Sequence, residues 1–110
     1  MKCRIILELL AILFFTGCYN REQISRLDEA EALIQNKPDS ALTILQQLKS
    51  EGSQAEQARY ALLYSEALDK NHIKVTNDSL IRQAWSHYKH HPKDLRRQCK
   101  TLYYWGRVKL

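Results

Sequence analysis

From Ile24 to Val108 the apolar residues recur at steps of three and four, interrupted only by short polar turns. That spacing lines the apolar side chains along one stripe of an α-helix. Nowhere does the chain alternate cleanly between apolar and polar residues with a period of two, so no strand is expected. The 110 residues include only three Gly and two Pro, and the stretches between turns are rich in Leu, Ala, Gln, Glu, Lys and Arg, which are at home in helices. The length allows one small domain and excludes a large α/β enzyme, a large barrel or a two-domain catalytic cleft. With 45% hydrophobic and 26% charged residues the chain can bury a core, which sets general disorder aside.

Five helices follow from the pattern. Ile24, Leu27, Ala30 and Leu33/Ile34 mark the first, which Asn36-Lys37-Pro38-Asp39 breaks. Pro38 cannot continue a helix, and Asp39 or Ser40 can cap the next, which carries Ala41, Leu42, Ile44, Leu45 and Leu48. Ser50-Glu51-Gly52-Ser53 ends it, with Gly52 suited to a left-handed terminating conformation. The third runs from about Gln54 to Lys70 and packs through Ala58, Ala61, Leu62, Leu68, Tyr60 and Tyr64. Asn77 or Asp78 caps the fourth, with Leu80, Ile81, Ala84, Trp85 and Tyr88 on one face. After His91-Pro92-Lys93-Asp94 the fifth carries Leu95, Cys99, Leu102, Tyr103, Trp105, Gly106 and Val108. Cys99, spaced with Leu95 and Leu102, reads as a small buried apolar residue. Short polar turns between such helices make successive ones antiparallel neighbours.

The amino terminus reads as an address. Lys2 and Arg4 precede a mostly apolar run, Ile5 to Phe15, which is shorter than the ~20 residues a spanning helix needs. Basic residues, a short apolar stretch and then small residues describe an export signal. The run ends Phe15-Thr16-Gly17-Cys18, which resembles the lipobox of bacterial lipoproteins, with Phe15 where Leu is commonest. The resemblance implies cleavage after Gly17, so that residues 1–17 are a signal peptide, and acylation of Cys18 by palmitate-type chains. Two or more acyl chains hold a protein stably to a bilayer. Tyr19 and Asn20 follow with no acidic cluster, which by analogy with lipoprotein sorting directs the protein to the outer membrane, on its periplasmic side. Residues 18–23 are then a tether. Loss of Lys2, Arg4 and Glu8 with the signal lowers the formal charge of +5 by one.

Small and large residues recur together along the mature chain: Ala41 with Leu45, Ala84 with Tyr88, and Leu102, Trp105 and Gly106 in the last helix. This arrangement resembles the tetratricopeptide repeat, in which a small residue in each helix permits close hairpin packing. Ala41/Leu45 and Ala84/Tyr88 match second-helix positions; Leu102, Trp105 and Gly106 match first-helix positions, while Lys109 stands where the family usually has Tyr. The chain also resembles the amino-terminal part of repeat-containing lipoproteins of Bacteroidetes type. It shares their Pro-Asp-Ser-Ala-Leu turn at Pro38 to Leu42 and their Tyr-Tyr-x-Gly-Arg-Val run at Tyr103 to Val108. The resemblance implies an all-α fold in which residues 24–110 form about two and a half stacked hairpins, a short solenoid.

Chemistry finds little footing. His87 and His91 share a helical face, but Tyr88 stands where the zinc-protease pattern needs Glu, and Pro92 follows at once; the group reads as a solvated helix end. No nucleophile elbow and no Gly-rich phosphate loop occur. No catalytic residue, metal ligand or cofactor is therefore expected. Lys89, Lys93, Arg96, Arg97, Lys100, Arg107 and Lys109 crowd the last quarter, and export makes a nucleic-acid partner an unfavoured explanation for them. A solvated face, or attraction to an acidic partner or headgroup, accounts for them.

The expected function is a membrane-anchored, non-enzymatic protein–protein interaction module. Tyr60, Tyr64, Tyr103 and Arg107, on the first helices of their hairpins, are the expected contacts for a protein or peptide partner. Helical repeats bury their apolar faces only against neighbours. The last helix is therefore expected to expose Tyr103, Tyr104, Trp105, Val108 and Leu110. Such an edge suits self-association through the uncapped helix, or a chain truncated from a longer one. In the family resembled, longer members continue into further repeats and some into a regulatory region. The alternative function is thus the amino-terminal sensor or input fragment of a longer regulatory protein.

Overall fold

The computed structural model describes residues 21–109, and all regular structure among them is helical, with no strand. The signal peptide, Cys18, residues 18–20 of the tether and Leu110 lie outside the described residues. Helix α1 is described over residues 21–33, so the last part of the expected tether is already helical. Helices α2 (Pro38–Gln47), α3 (Gln54–Lys70), α4 (Ser79–Tyr88) and α5 (Leu95–Gly106) follow. No helix of the described residues is long and apolar enough to cross a membrane.

The turns explain the boundaries. Pro38 opens α2 rather than merely ending α1, with Lys37 as the cap residue. A proline in the first turn loses only an N–H that the helix leaves unpaired, and its fixed φ suits a helix start. Gly52 takes the expected left-handed conformation, at φ +95°. A Cβ there would also run into the Glu56 carboxylate. Ser53 caps α3 by accepting from the Glu56 N–H at 3.2 Å. At the other end of α3, the Ile73 N–H donates to Leu68 O and the His72 N–H to Asp69 O, both at 3.0 Å. These two bonds close a Schellman motif, and they hold His72 at φ 58°, a position usually given to glycine. Before α4, Asn77 Oδ1 accepts from the Ser79 N–H at 3.2 Å and from its hydroxyl at 2.6 Å. Asp94 caps α5 through the Arg97 N–H.

Two apolar clusters share α3. The first joins Leu27, Ala30 and Ile34 of α1 and its end, Ala41, Leu42, Ile44 and Leu45 of α2, and Tyr60, Leu63 and Ala67 of α3. The second joins Ala58, Ala61 and Leu62 of α3 to Ile81, Ala84 and Tyr88 of α4 and Tyr104 of α5. α3 is thus apolar on two sides, as a central helix must be. Every buried alanine, from Ala30 to Ala84, is at most 1% exposed. Small side chains at these crossings let helix axes approach and let the larger partners interdigitate. Large apolar residues so buried each contribute roughly 1.5–3 kcal/mol.

Side-chain hydrogen bonds pin turns to distant helices. The Gln23 amide donates to Lys49 O at 2.9 Å and Glu51 O at 3.2 Å, fixing the start of α1 to the α2–α3 turn. Asn71 donates to Pro38 O at 2.9 Å and Ala67 O at 2.7 Å, fixing the end of α3 to the α1–α2 turn. Gln98 of α5 donates to Tyr88 O at the end of α4. The indole N–H of Trp105 reaches Asp78 Oδ2 at 3.2 Å. Arg82 and Trp105 both bind the Asp78 carboxylate and hold its pKa below the usual carboxylate range, against the smaller cost of burial.

Candidate interaction surface

Ion pairs tie α1, α3 and α5 to one another. Arg59 of α3 reaches Asp28 at 2.6 Å and also pairs with Glu31, both on α1. Arg97 of α5 approaches the same Glu31 at 3.6 Å. Lys100 of α5 lies 3.4 Å from Glu66 of α3, and Arg107 lies 3.0 Å from Asp69. Burial works against the Arg59 charge, but hydrogen bonds to Glu31 and Asp28 outweigh it and hold the guanidinium above its ordinary value. Glu66 is the buried member of the network, at 1% exposure, and also accepts from the Gln35 amide at 3.4 Å. Tyr104 packs beside it; burial raises the phenol pKa, and the Glu66 carboxylate raises it further. Sequence reasoning passed over Glu66, although its place between Leu62/Leu63 and Ala67 puts it on the buried side of α3.

The other conspicuous surface lies on the outer side of α5. Leu95, Leu102 and Tyr103 are 62%, 51% and 60% exposed, and they are three of the five large apolar residues that stand out in solvent among the described residues. Cys99, a free thiol between them, is exposed as well. A Cβ on Gly106 would meet nothing within 4 Å. The apolar stripe was legible, but its expected burial was not correct: no other helix among the described residues covers it. The expected exposed set shifts accordingly. Tyr104 is buried, Trp105 and Val108 are half-buried against the second cluster, and Tyr103 alone of the described members stands out.

The four expected partner contacts separate into two pairs. Tyr60 is 9% exposed and packs edge-on to half-buried Tyr64, with ring centroids 5.6 Å apart, inside the first cluster. Tyr60 is therefore a core residue: the side of α3 that carries it faces α1 and α2. Tyr103 and Arg107 lie one turn apart at the surface of α5, Arg107 paired with Asp69. The structure brings these two together with the exposed stripe.

A cavity of about 250 Å³ opens between the end of α3, the α3–α4 loop and the last turn of α5. Ile73, Val75, Leu80, Ile81 and Val108 give it apolar walls. Ser65 in its lining donates its hydroxyl to Ala61 O at 2.8 Å. The backbone N–H of Lys109 donates to Val75 O at 2.9 Å and joins the two sides of the opening.

His87 and His91 are close neighbours at the end of α4, their ring centroids 4.1 Å apart. Partial burial, and then the neighbouring His91 and His90, push the His87 pKa below the ordinary 6.5, with Asp94 opposing. The unfolded chain therefore binds more protons than the folded one just below that value, and stability falls as pH drops through the window. Thermal midpoints measured from about pH 7.5 to 5.5 are expected to decline, and His87→Gln is expected to flatten the decline. An equal decline in the variant would remove His87 as its source. No group of three or more His, Cys, Asp or Glu that could hold a metal ion occurs among the described residues.

No family model matches the chain, and no curated protein or solved structure matches it.

Proposed function

We propose that this protein is a membrane-anchored helical-repeat lipoprotein, exported and held through lipid on Cys18, that acts as a non-catalytic protein–protein interaction module. The observation that carries the reading is the apolar stripe Leu95–Leu102–Tyr103 on the outer side of α5, more than half exposed at each residue. Contiguous exposed apolar surface on a small protein marks a contact site more often than single scattered residues do. The order of the helices supports the repeat reading. α1 and α2 pack with one side of α3 in the first cluster, α3 packs its other side with α4 in the second, and α5 adds to that second cluster as though it began a third pair. Ion pairs running α1 to α3 to α5 suit a stack whose first helices line one side. The lipobox-like Phe15-Thr16-Gly17-Cys18 supports the anchor, with the outer membrane's periplasmic side as its expected place.

Fractionation of cells producing the full chain tests the anchor. The protein is expected in the membrane pellet, and Cys18→Ser is expected to leave the leader uncleaved and block acylation, visible as a loss of incorporated radiolabelled palmitate. Undiminished label in the variant would sink the lipoprotein reading. Cross-linking of the full chain in its own membranes tests the module: a specific adduct lost on Leu102→Glu supports it, and a chain that forms no adduct with any protein counts against it.

A further inference from the structure

We infer that the α5 stripe is a seat for an amphipathic helix of another polypeptide, one that presents a large–small–large apolar pattern bordered by acidic residues. This inference rests on the interaction-module reading and names its partner's chemistry. The seat is defined by comparing α5 with α3, each counted from the residue that caps it. Ser53 caps α3 and Asp94 caps α5, and each accepts from the N–H three residues on. At the seventh and tenth positions after the cap, α3 has Tyr60 and Leu63 and α5 has Thr101 and Tyr104, all buried. At the sixth position both carry a cation paired with an acid on the preceding odd-numbered helix: Arg59 with Glu31, Lys100 with Glu66. The two helices are thus used in the same orientation.

At the fifth, eighth and ninth positions the two helices differ, both in side-chain size and in exposure. On α3 these are Ala58, Ala61 and Leu62, 1%, 0% and 3% exposed, because Ile81, Ala84 and Tyr88 of α4 lie over them. On α5 they are Cys99, Leu102 and Tyr103, and all three are exposed. The surface α5 shows to solvent is the surface that a helix covers on α3. A helix seated there would repeat the spacing of Ile81, Ala84 and Tyr88. A Cβ on Gly106 would meet nothing within 4 Å, which leaves room for that helix's close approach.

Charge selects the occupant. At 3.6 residues per turn, Leu95, Cys99, Leu102 and Gly106 fall within an arc of ~60°, with Tyr103 at its edge. Arg96, Arg107 and Lys100 follow on that same border, which faces away from α4 and is wholly basic. Lys100 and Arg107 already have acidic partners, whereas Arg96 makes no ion pair among the described residues. A second copy docked stripe to stripe and antiparallel would set this basic border against itself. An acidic border on the incoming helix instead gives Arg96 a partner and adds to the fields of the other two.

The test uses the full chain in detergent and a synthetic helical peptide with Ile, Ala and Tyr at the α4 spacing and glutamates along one border. Saturable binding is expected by fluorescence anisotropy, weakened at least tenfold by Leu102→Glu and by replacing the peptide's glutamates with lysines, with little change in the protein's thermal midpoint. Binding should also slow maleimide labelling of Cys99 in a chain whose Cys3 and Cys18 are serine. Unchanged affinity in Leu102→Glu, or equal affinity for the lysine peptide, overturns the proposal. So does a dimer in sedimentation that Leu102→Glu dissolves, which would assign the stripe to a second copy. So does a segment encoded in frame beyond Leu110 that shields Cys99 without added peptide. If the peptide fails while the membrane cross-linking adduct persists, the helix seat falls and the module reading stands; loss of both removes both.

Discussion

Leu45→Ala is expected to lower the free energy of unfolding by about 3 kcal/mol, within the range of about 2–5 kcal/mol typical of fully buried leucines. Leu45 is 0% exposed and sits where α2 meets α1 and α3 in the first cluster. Its neighbours include Ala30 and Ala41, which have no side-chain length with which to fill the space left behind. The cavity therefore persists, and its cost adds to the lost transfer free energy. In a domain of this size about 1 kcal/mol moves the thermal midpoint by roughly 4–8 °C, so a drop of more than about 10 °C in circular dichroism melts is the expected reading. Leu102→Ala provides the contrast, because that side chain is 51% exposed and belongs to neither cluster. It should cost no more than about 0.5 kcal/mol, as surface substitutions usually do. Equal losses from the two variants would mean that the α5 stripe is covered in solution and that the first cluster is less well packed than the burial of Leu45 indicates.

The same contrast locates what the sequence makes legible. Leu45 and Leu102 both sit on apolar stripes of period 3.6, and the stripe identifies the helix in each case. It does not say whether another element covers the stripe. Cys99 and Leu95 were expected inside for this reason, and both are outside. Tyr60 carries two readings, as packing for α3 and as a partner contact; α3 is apolar on two sides, and the burial of Tyr60 supports the first and removes the second. Helix ends were legible where one residue type dictates the turn, as Gly52 does at φ +95°. They were less so at Pro38, which both breaks one helix and starts the next. Tertiary hydrogen bonds leave no local trace. Nothing near Gln23 announces that its amide binds Lys49 O and Glu51 O, so the local sequence reads the start of α1 as a tether. The candidate surface is half visible in the sequence: Tyr103, Arg107 and the basic crowd that includes Arg96 stand out there, but the solvent side of Leu95 and Cys99 emerges only once α4 is seen covering the matching side of α3.

Removal of the Lys100 charge is expected to be the other costly change. Lys100→Met deletes the cation 3.4 Å from Glu66 and leaves a carboxylate whose side chain is only 2% exposed. Gln35 still donates to it, at 3.4 Å, so the carboxylate keeps a neutral donor but loses its counter-charge. Breaking a buried pair by removing one partner costs about 3–5 kcal/mol when both ions are enclosed. Lys100 itself is 29% exposed, and solvent screens part of the pair, so about 2 kcal/mol is the expected loss here. Replacing both members, as Glu66→Met with Lys100→Met, removes the stranded charge along with its partner and lets the interior between α3 and α5 become apolar. The double variant should therefore melt above the Lys100→Met single variant, because exchanging a buried ion pair for apolar residues of similar volume is often neutral or better. Full recovery is not expected, since the carboxylate acting on Tyr104 also disappears. A double-mutant cycle of melting midpoints measures the coupling. Coupling near zero, with the two single losses simply adding, would mean that Glu66 is neutralised by something other than Lys100. The pair would then no longer explain how α5 is held in register against α3, which is the register that turns Leu95, Cys99 and Leu102 toward solvent.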